Sequence, residues 1–126
     1  MSGRVGSITT GIIADGLIFN MDPANRASYV ANASTTFNTI DSSSSGSLDN
    51  GTTFTENPKI WSFDGVDDMI PLNSSVNMGQ AGSLSFWFKR NGGSGTIMGE
   101  PAYTFKYVVY INGNTITIRC GANYRS

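Results

Sequence analysis

Residues 61–72 narrow the folds open to this chain more than any other stretch, because two apolar pairs flank an acidic turn. Trp61 and Phe63 lie two positions apart, and so do Ile70 and Leu72. Side chains alternate between the two faces of a strand, so each pair points to one side. The Asp-Gly dipeptide between the pairs is typical of tight turns. The pattern predicts a β-hairpin whose apolar pairs enter a common core.

The composition extends the β prediction to the whole chain. Charged residues make up 13% of the 126 positions, well below the usual share of about 25%. Ser, Thr, Asn and Gly are abundant instead, and these residues favour turns and strand faces over helices. The sequence therefore predicts an all-β protein with a single modest core.

Further strands follow from alternation and from β-branched and aromatic content. Residues 83–90 place Leu84, Phe86 and Phe88 on one face and Trp87 on the other. The Asn112-Gly113 dipeptide is a strong hairpin signal. Strands are also predicted at residues 17–22, 36–40, 52–55, 96–99, 103–111 and 114–120.

Residues 1–11 are small and polar apart from Val5 and Ile8, and residues 1–13 are predicted to form an extended arm that precedes a single domain at residues 14–126. Such an arm suits a protein that clips onto a neighbour during assembly. A frayed terminus is the alternative interpretation. The arm also lacks the charged and apolar regions of a signal peptide, which predicts synthesis in a cytoplasm.

Several classes of function are disfavoured by residue content. The chain contains no histidine, which removes Ser-His and Cys-His catalytic pairs and imidazole zinc ligands. The single cysteine, Cys120, has no internal disulfide partner. Net charge is −1 and the basic residues are scattered, so nucleic acid is not an expected partner. No apolar run reaches the ~20 residues of a membrane span, so membrane insertion is not expected.

The order of motifs resembles a known family. Residues 15–22 (DGLIFNMD) and 24–29 (ANRASY) are followed by residues 63–70 (FDGVDDMI) and 83–89 (SLSFWFK). This order resembles the concanavalin A-like, laminin G-like domains of virion structural proteins in tailed phages, marine and cyanophage types included. The resemblance covers roughly residues 10–118 and implies an antiparallel jelly-roll sandwich. Family members continue with further strands after the Asn-Gly hairpin, so the sandwich is expected to be incomplete at the C-terminus.

The resemblance implies a non-enzymatic virion structural protein, such as a capsid decoration, head-fibre, neck or tail-fibre module. Its expected location is the surface of the virion, and its expected partners are other virion proteins and symmetry-related copies. The alternative is a carbohydrate-binding module that recognises host surface glycans, with calcium as a candidate cofactor. An enzyme is not expected, because Glu56 and Glu100 lack the alternating acidic partners of glucan hydrolases with this fold.

Two sets of side chains are candidate site residues. The carboxylates of Asp64, Asp67 and Asp68 are candidate calcium ligands, since calcium takes six to eight oxygen ligands. The competing interpretation is that Asp64 and Asp67 cap a tight turn. Aromatic side chains that stack on sugar rings form the second set, for which packing in the core is the competing interpretation; this set consists of Trp87, Tyr103 and Tyr107.

Overall fold

The computed structural model describes residues 13, 15–77, 81–99 and 107–120, with the side chains of residues 107, 119 and 120 outside that description. These residues form seven strands, paired only in antiparallel fashion, and contain no helix. The predicted all-β class is therefore confirmed. Apart from residue 13, the predicted N-terminal arm lies outside the described residues.

The chain separates into two compact units, Met1–Leu84 and Ser85–Ser126. The first unit contains two two-stranded sheets and the second contains one three-stranded sheet. The strands are β1 (Thr35–Phe37), β2 (Ser45–Ser47), β3 (Thr53–Glu56), β4 (Lys59–Ser62), β5 (Gly95–Gly99), β6 (Tyr107–Asn112) and β7 (Thr115–Cys120).

A serine-rich turn joins β1 to β2. Asp41 accepts hydrogen bonds through Oδ1 from the hydroxyl of Ser43 at 2.7 Å and from its amide at 3.0 Å. These two bonds hold the pKa of Asp41 below its usual range, and the bond from the hydroxyl has the larger effect. The associated stabilisation is present above the unfolded-state pKa and is lost as pH falls through the lowered folded-state pKa. The carboxylate is exposed, so the turn is a minor contributor to stability.

The predicted hairpin at residues 61–72 is wrong in its pairing. Trp61 belongs to β4 and lies opposite Phe54 in β3, across a turn at residues 57–58. Residues 69–73 instead run beside β2, with antiparallel bridges Gly46↔Leu72 and Asp49↔Met69. Each half of the expected hairpin therefore finds a partner earlier in the chain.

Gly46 is what allows residues 69–73 to lie against β2. A β-carbon at this buried position would come 2.7 Å from Cγ2 of Ile70 and 3.2 Å from Cδ2 of Leu72. Because glycine has no side chain, the two apolar residues pack directly over the β2 backbone.

An aromatic cluster forms the apolar part of the first unit. The ring of Tyr29 lies 4.9 Å from that of Phe54 and 5.9 Å from that of Trp61, the latter in an edge-on arrangement. Such geometries are favoured between aromatic rings. The Tyr29 hydroxyl donates to the Ala33 carbonyl, whereas the buried Nε1 of Trp61 has no hydrogen-bond partner among the described residues. Phe63, expected in the same core as Trp61, is 52% exposed.

Buried polar side chains outnumber the large apolar ones in this unit. Among the described residues of this unit, Tyr29 is the only large apolar side chain that is buried. Five polar side chains are also buried, namely Ser28, Thr36, Asn38, Ser44 and Thr52. Buried polar groups are stable only when they are hydrogen-bonded. The first unit is thus held by polar bonds as much as by apolar packing.

The predicted strand at residues 17–22 is absent for a related reason. The amide of Asn20 donates to Oδ1 of Asn38, and Nδ2 of Asn38 donates to the carbonyl of Ile18. Farther along, the amide of Asp22 donates to Oγ of Ser28. Side chains therefore make most of the hydrogen bonds of this segment, and the backbone adds the bond from the amide of Thr39 to the carbonyl of Asn20.

The β6–β7 hairpin of the second unit follows the sequence prediction. β6 and β7 pair through all six residues of each strand and are joined by the two-residue turn Gly113-Asn114. β5 pairs with β6, with an irregular register between Thr96 and Met98. Val108, Val109 and Ile111 of the central strand are buried. The strand predicted at residues 83–90 joins no sheet within the described residues.

Candidate functional site

The acidic trio of Asp64, Asp67 and Asp68 lies in the turn that follows β4. Oδ1 of Asp64 accepts a hydrogen bond from the amide of Val66 at 2.8 Å, across Gly65, which has a positive φ of 81°. Oδ2 of Asp68 accepts one from the amide of Asp64, also at 2.8 Å. Both carboxylates thus cap the backbone of their own turn, as short acidic side chains do in tight turns.

A second turn, at residues 49–52, supports the acidic one. Asn50 donates through Nδ2 to the carbonyl of Asp67 at 2.9 Å. The Thr52 hydroxyl lies 2.9 Å from the carbonyl oxygen of Asp49 and 3.0 Å from that of Met69. These contacts link the ends of both turns, so the position of the trio is fixed by residues distant in sequence.

The three carboxylates come close enough to share a cation. One oxygen from each lies within 4.8 Å of the others, with Asp64 and Asp67 exposed and Asp68 half-buried. The donor set suits calcium, which prefers oxygen ligands, but three carboxylates supply only part of a shell of six to eight oxygens. Two of the carboxylates are already engaged by backbone amides. The observed geometry is that of a capped turn, and the set fits calcium only in part.

The predicted aromatic site residues have different outcomes. Trp87 is 100% exposed, which is uncommon for the largest apolar side chain. It follows Phe86, whose ring lies 5.9 Å from that of Phe88. Tyr107 belongs to β6, but its side chain is outside the described residues, as is the whole of Tyr103. The structure therefore places one of the three aromatic candidates at the surface.

An open cleft that the sequence did not predict lies in the first unit. Its volume is about 390 Å³ and its lining contains no charged side chain, so the acidic trio is not part of it. The sequence carries no signal for this cleft, because its lining comes from two segments, residues 29–34 and 48–54, that meet only in the folded chain. The cleft is lined by Tyr29, Asn32, Ala33, Ser34, Leu48, Thr52, Thr53 and Phe54.

Comparison with known proteins identifies no relative, since no family model, curated protein or solved structure matches the chain. Across the described residues, no helix has the length and apolar character needed to cross a membrane.

Substitution of Asp68 separates the two roles of the trio. We expect Asp68→Ala to lower the free energy of unfolding by about 1 kcal/mol, because the Asp64 amide loses its acceptor. The matched Asp67→Ala should change it by less than about 0.5 kcal/mol, because that carboxylate accepts no hydrogen bond from a described residue. Urea unfolding of both variants, with and without calcium, measures the difference. A calcium-dependent rise in wild-type stability that disappears in Asp67→Ala would show that the trio is a cation site instead.

Proposed function

We propose that the protein is a non-enzymatic structural component of a phage virion that acts through protein–protein assembly. It would serve as a capsid decoration, head-fibre, neck or tail-fibre module at the particle surface. The motif order that resembles laminin G-like virion domains supports the proposal, and so does the all-β architecture. In this proposal the chain contributes to a jelly roll of the kind that the resemblance implies, and its partners are other virion proteins and symmetry-related copies.

The observation that carries the proposal is the exposed apolar face of β7. Ile116 and Ile118 are 54% and 67% exposed. They lie opposite the buried Ile111 and Val109 of β6, so the four side chains share one sheet face. Within the described residues β7 pairs with β6 alone, so no other described strand lies along its outer edge. Edge strands with apolar side chains readily pair with other chains.

The polar interior of the first unit gives a second reason to expect partners. Among its described residues Tyr29 is the one large apolar side chain that is buried, and small domains with limited apolar burial are marginally stable on their own. Contact with neighbours would bury the remaining apolar surface and add stability through assembly. No catalytic step is part of the proposal.

Removal of the β7 apolar face tests assembly. We expect the double variant Ile116→Thr/Ile118→Thr to weaken self-association at least about tenfold, since each buried isoleucine contributes about 1.5–3 kcal/mol. Threonine keeps the preference for strand structure. Val66→Thr, at an exposed position in the acidic turn, is the matched control and should associate like wild type. Sedimentation velocity over a concentration series provides the readout. A wild-type protein that stays monomeric throughout, with all three proteins alike, would contradict this form of assembly.

Glycan recognition is the second candidate function, and the complete exposure of Trp87 is the observation that favours it. A bare indole face offers the apolar platform on which sugar rings stack. If the acidic trio binds calcium, the ion would be a cofactor of such a module. Host surface glycans are the ligand class that this candidate predicts.

A glycan array tests the second candidate. It predicts binding to a surface glycan that falls at least about tenfold in Trp87→Ala, because exposed aromatic anchors dominate such contacts. The control Ile118→Thr should bind as wild type does. Repeating the array with a chelator shows whether calcium takes part. Absence of binding by wild type, or equal binding by Trp87→Ala, would reject this function.

A further inference from the structure

Three Asn-Gly dipeptides occur in the chain, beginning at Asn50, Asn91 and Asn112. An asparagine followed by glycine is open to a self-reaction, because no side chain at the next residue hinders attack by its backbone nitrogen. The reaction needs the asparagine side chain free to rotate and the glycine amide free to approach it. The three dipeptides differ in both respects.

Asn112 is held at the end of a strand ladder. It pairs with Thr115 across the β6–β7 hairpin. The amide of Gly113, which would be the attacking nitrogen, donates to Oγ of Ser94 at 3.0 Å. The nucleophile is thus occupied, and the hairpin must open before the reaction can begin.

Asn50 is held through its side chain. Its Nδ2 donates to the carbonyl of Asp67 at 2.9 Å, the contact that links the two turns of the first unit. Rotation of the side chain toward Gly51 would break this bond. The second dipeptide is therefore also restrained.

Asn91 has neither restraint. It is exposed, and neither its side chain nor the amide of Gly92 has a hydrogen-bond partner among the described residues. Gly92 and Gly93 have positive φ values of 132° and 75°, conformations that are accessible mainly to glycine. Among the described residues, the one hydrogen bond across this loop joins the guanidinium of Arg90 to the Gly93 carbonyl at 2.6 Å, and it does not involve Asn91.

We propose that Asn91 is a site of spontaneous deamidation and that the other two Asn-Gly dipeptides are protected by the fold. The Gly92 nitrogen attacks Cγ of Asn91, the C–N bond to the side-chain amide breaks, and ammonia leaves with the amide proton of Gly92. The product is a five-membered succinimide. Water then opens the ring at either carbonyl and gives aspartate or isoaspartate.

The modification changes both charge and backbone at this loop. It adds one negative charge next to Arg90, whose side chain already spans the loop. Isoaspartate also inserts one carbon into the backbone between residues 83–90 and β5. Deamidation thus adds a negative charge close in sequence to Lys89 and Trp87, both of which are exposed.

Peptide mapping of the whole aged protein tests the proposal. The protein is incubated at mildly alkaline pH, with samples taken over time, and fragmentation that separates aspartate from isoaspartate assigns each site. We expect Asn91 to react at least about tenfold faster than Asn112 or Asn50, because the latter two require local opening first. Asn91→Gln, whose longer side chain forms the ring slowly, should remove the dominant product. A parallel incubation in concentrated urea removes the protection of the fold.

The three rates should converge in urea if the fold sets the order. The proposal is overturned if Asn112 or Asn50 reacts as fast as Asn91 in the folded protein, or if Asn91 does not react. It is also overturned if the same order persists in urea, because local sequence would then be the cause.

Discussion

Hydrogen bonds made by three buried polar side chains hold the first unit together. Ser28 and Thr36 are 0% exposed and Asn38 is 3% exposed. The Ser28 hydroxyl donates to the Phe37 carbonyl and accepts from the amide of Asp22, and the Thr36 hydroxyl donates to the Ser28 carbonyl. Through these bonds residues 18–22 are joined to β1 without a backbone ladder. Buried polar groups satisfied in this way fix one arrangement, since any alternative leaves some of them unpaired.

The sequence predicted the β6–β7 hairpin correctly and failed at the residues that flank the acidic turn. The β6–β7 hairpin depends on neighbouring residues and on a glycine turn, so the pattern sufficed. The expected hairpin at residues 61–72 also has a local signal, yet both halves pair with earlier residues. The position of residues 69–73 beside β2 depends on Gly46, and the need for glycine there is visible only once Ile70 is packed over it. The acidic trio was found from the sequence, but the capping by Asp68 depends on a hydrogen bond that periodicity does not encode.

The same balance of polar and apolar contacts connects the structure to its proposed function. In the first unit the buried side chains are mainly polar and hydrogen-bonded, while isoleucines of β7 and the indole of Trp87 remain at the surface. A chain with this distribution gains most from burying surface against neighbours. Assembly through an open sheet edge uses that surface directly, whereas glycan binding would use Trp87 alone. The loop at Asn91 is independent of both, because its chemistry depends only on the freedom of two adjacent residues.

The stability of Asn38→Ala, compared with that of Asn73→Ala, tests most directly whether buried polar bonds hold the first unit. Asn38 makes three hydrogen bonds from a buried position, to Asn20, Ile18 and Ile40. Asn73 makes two from an exposed one. In urea unfolding, we expect Asn38→Ala to lose about 2–4 kcal/mol or to fail to fold, and Asn73→Ala to lose about 1 kcal/mol or less. Equal losses in the two variants, or a loss below about 0.5 kcal/mol for Asn38→Ala, would show that buried polar hydrogen bonds do not hold the first unit together.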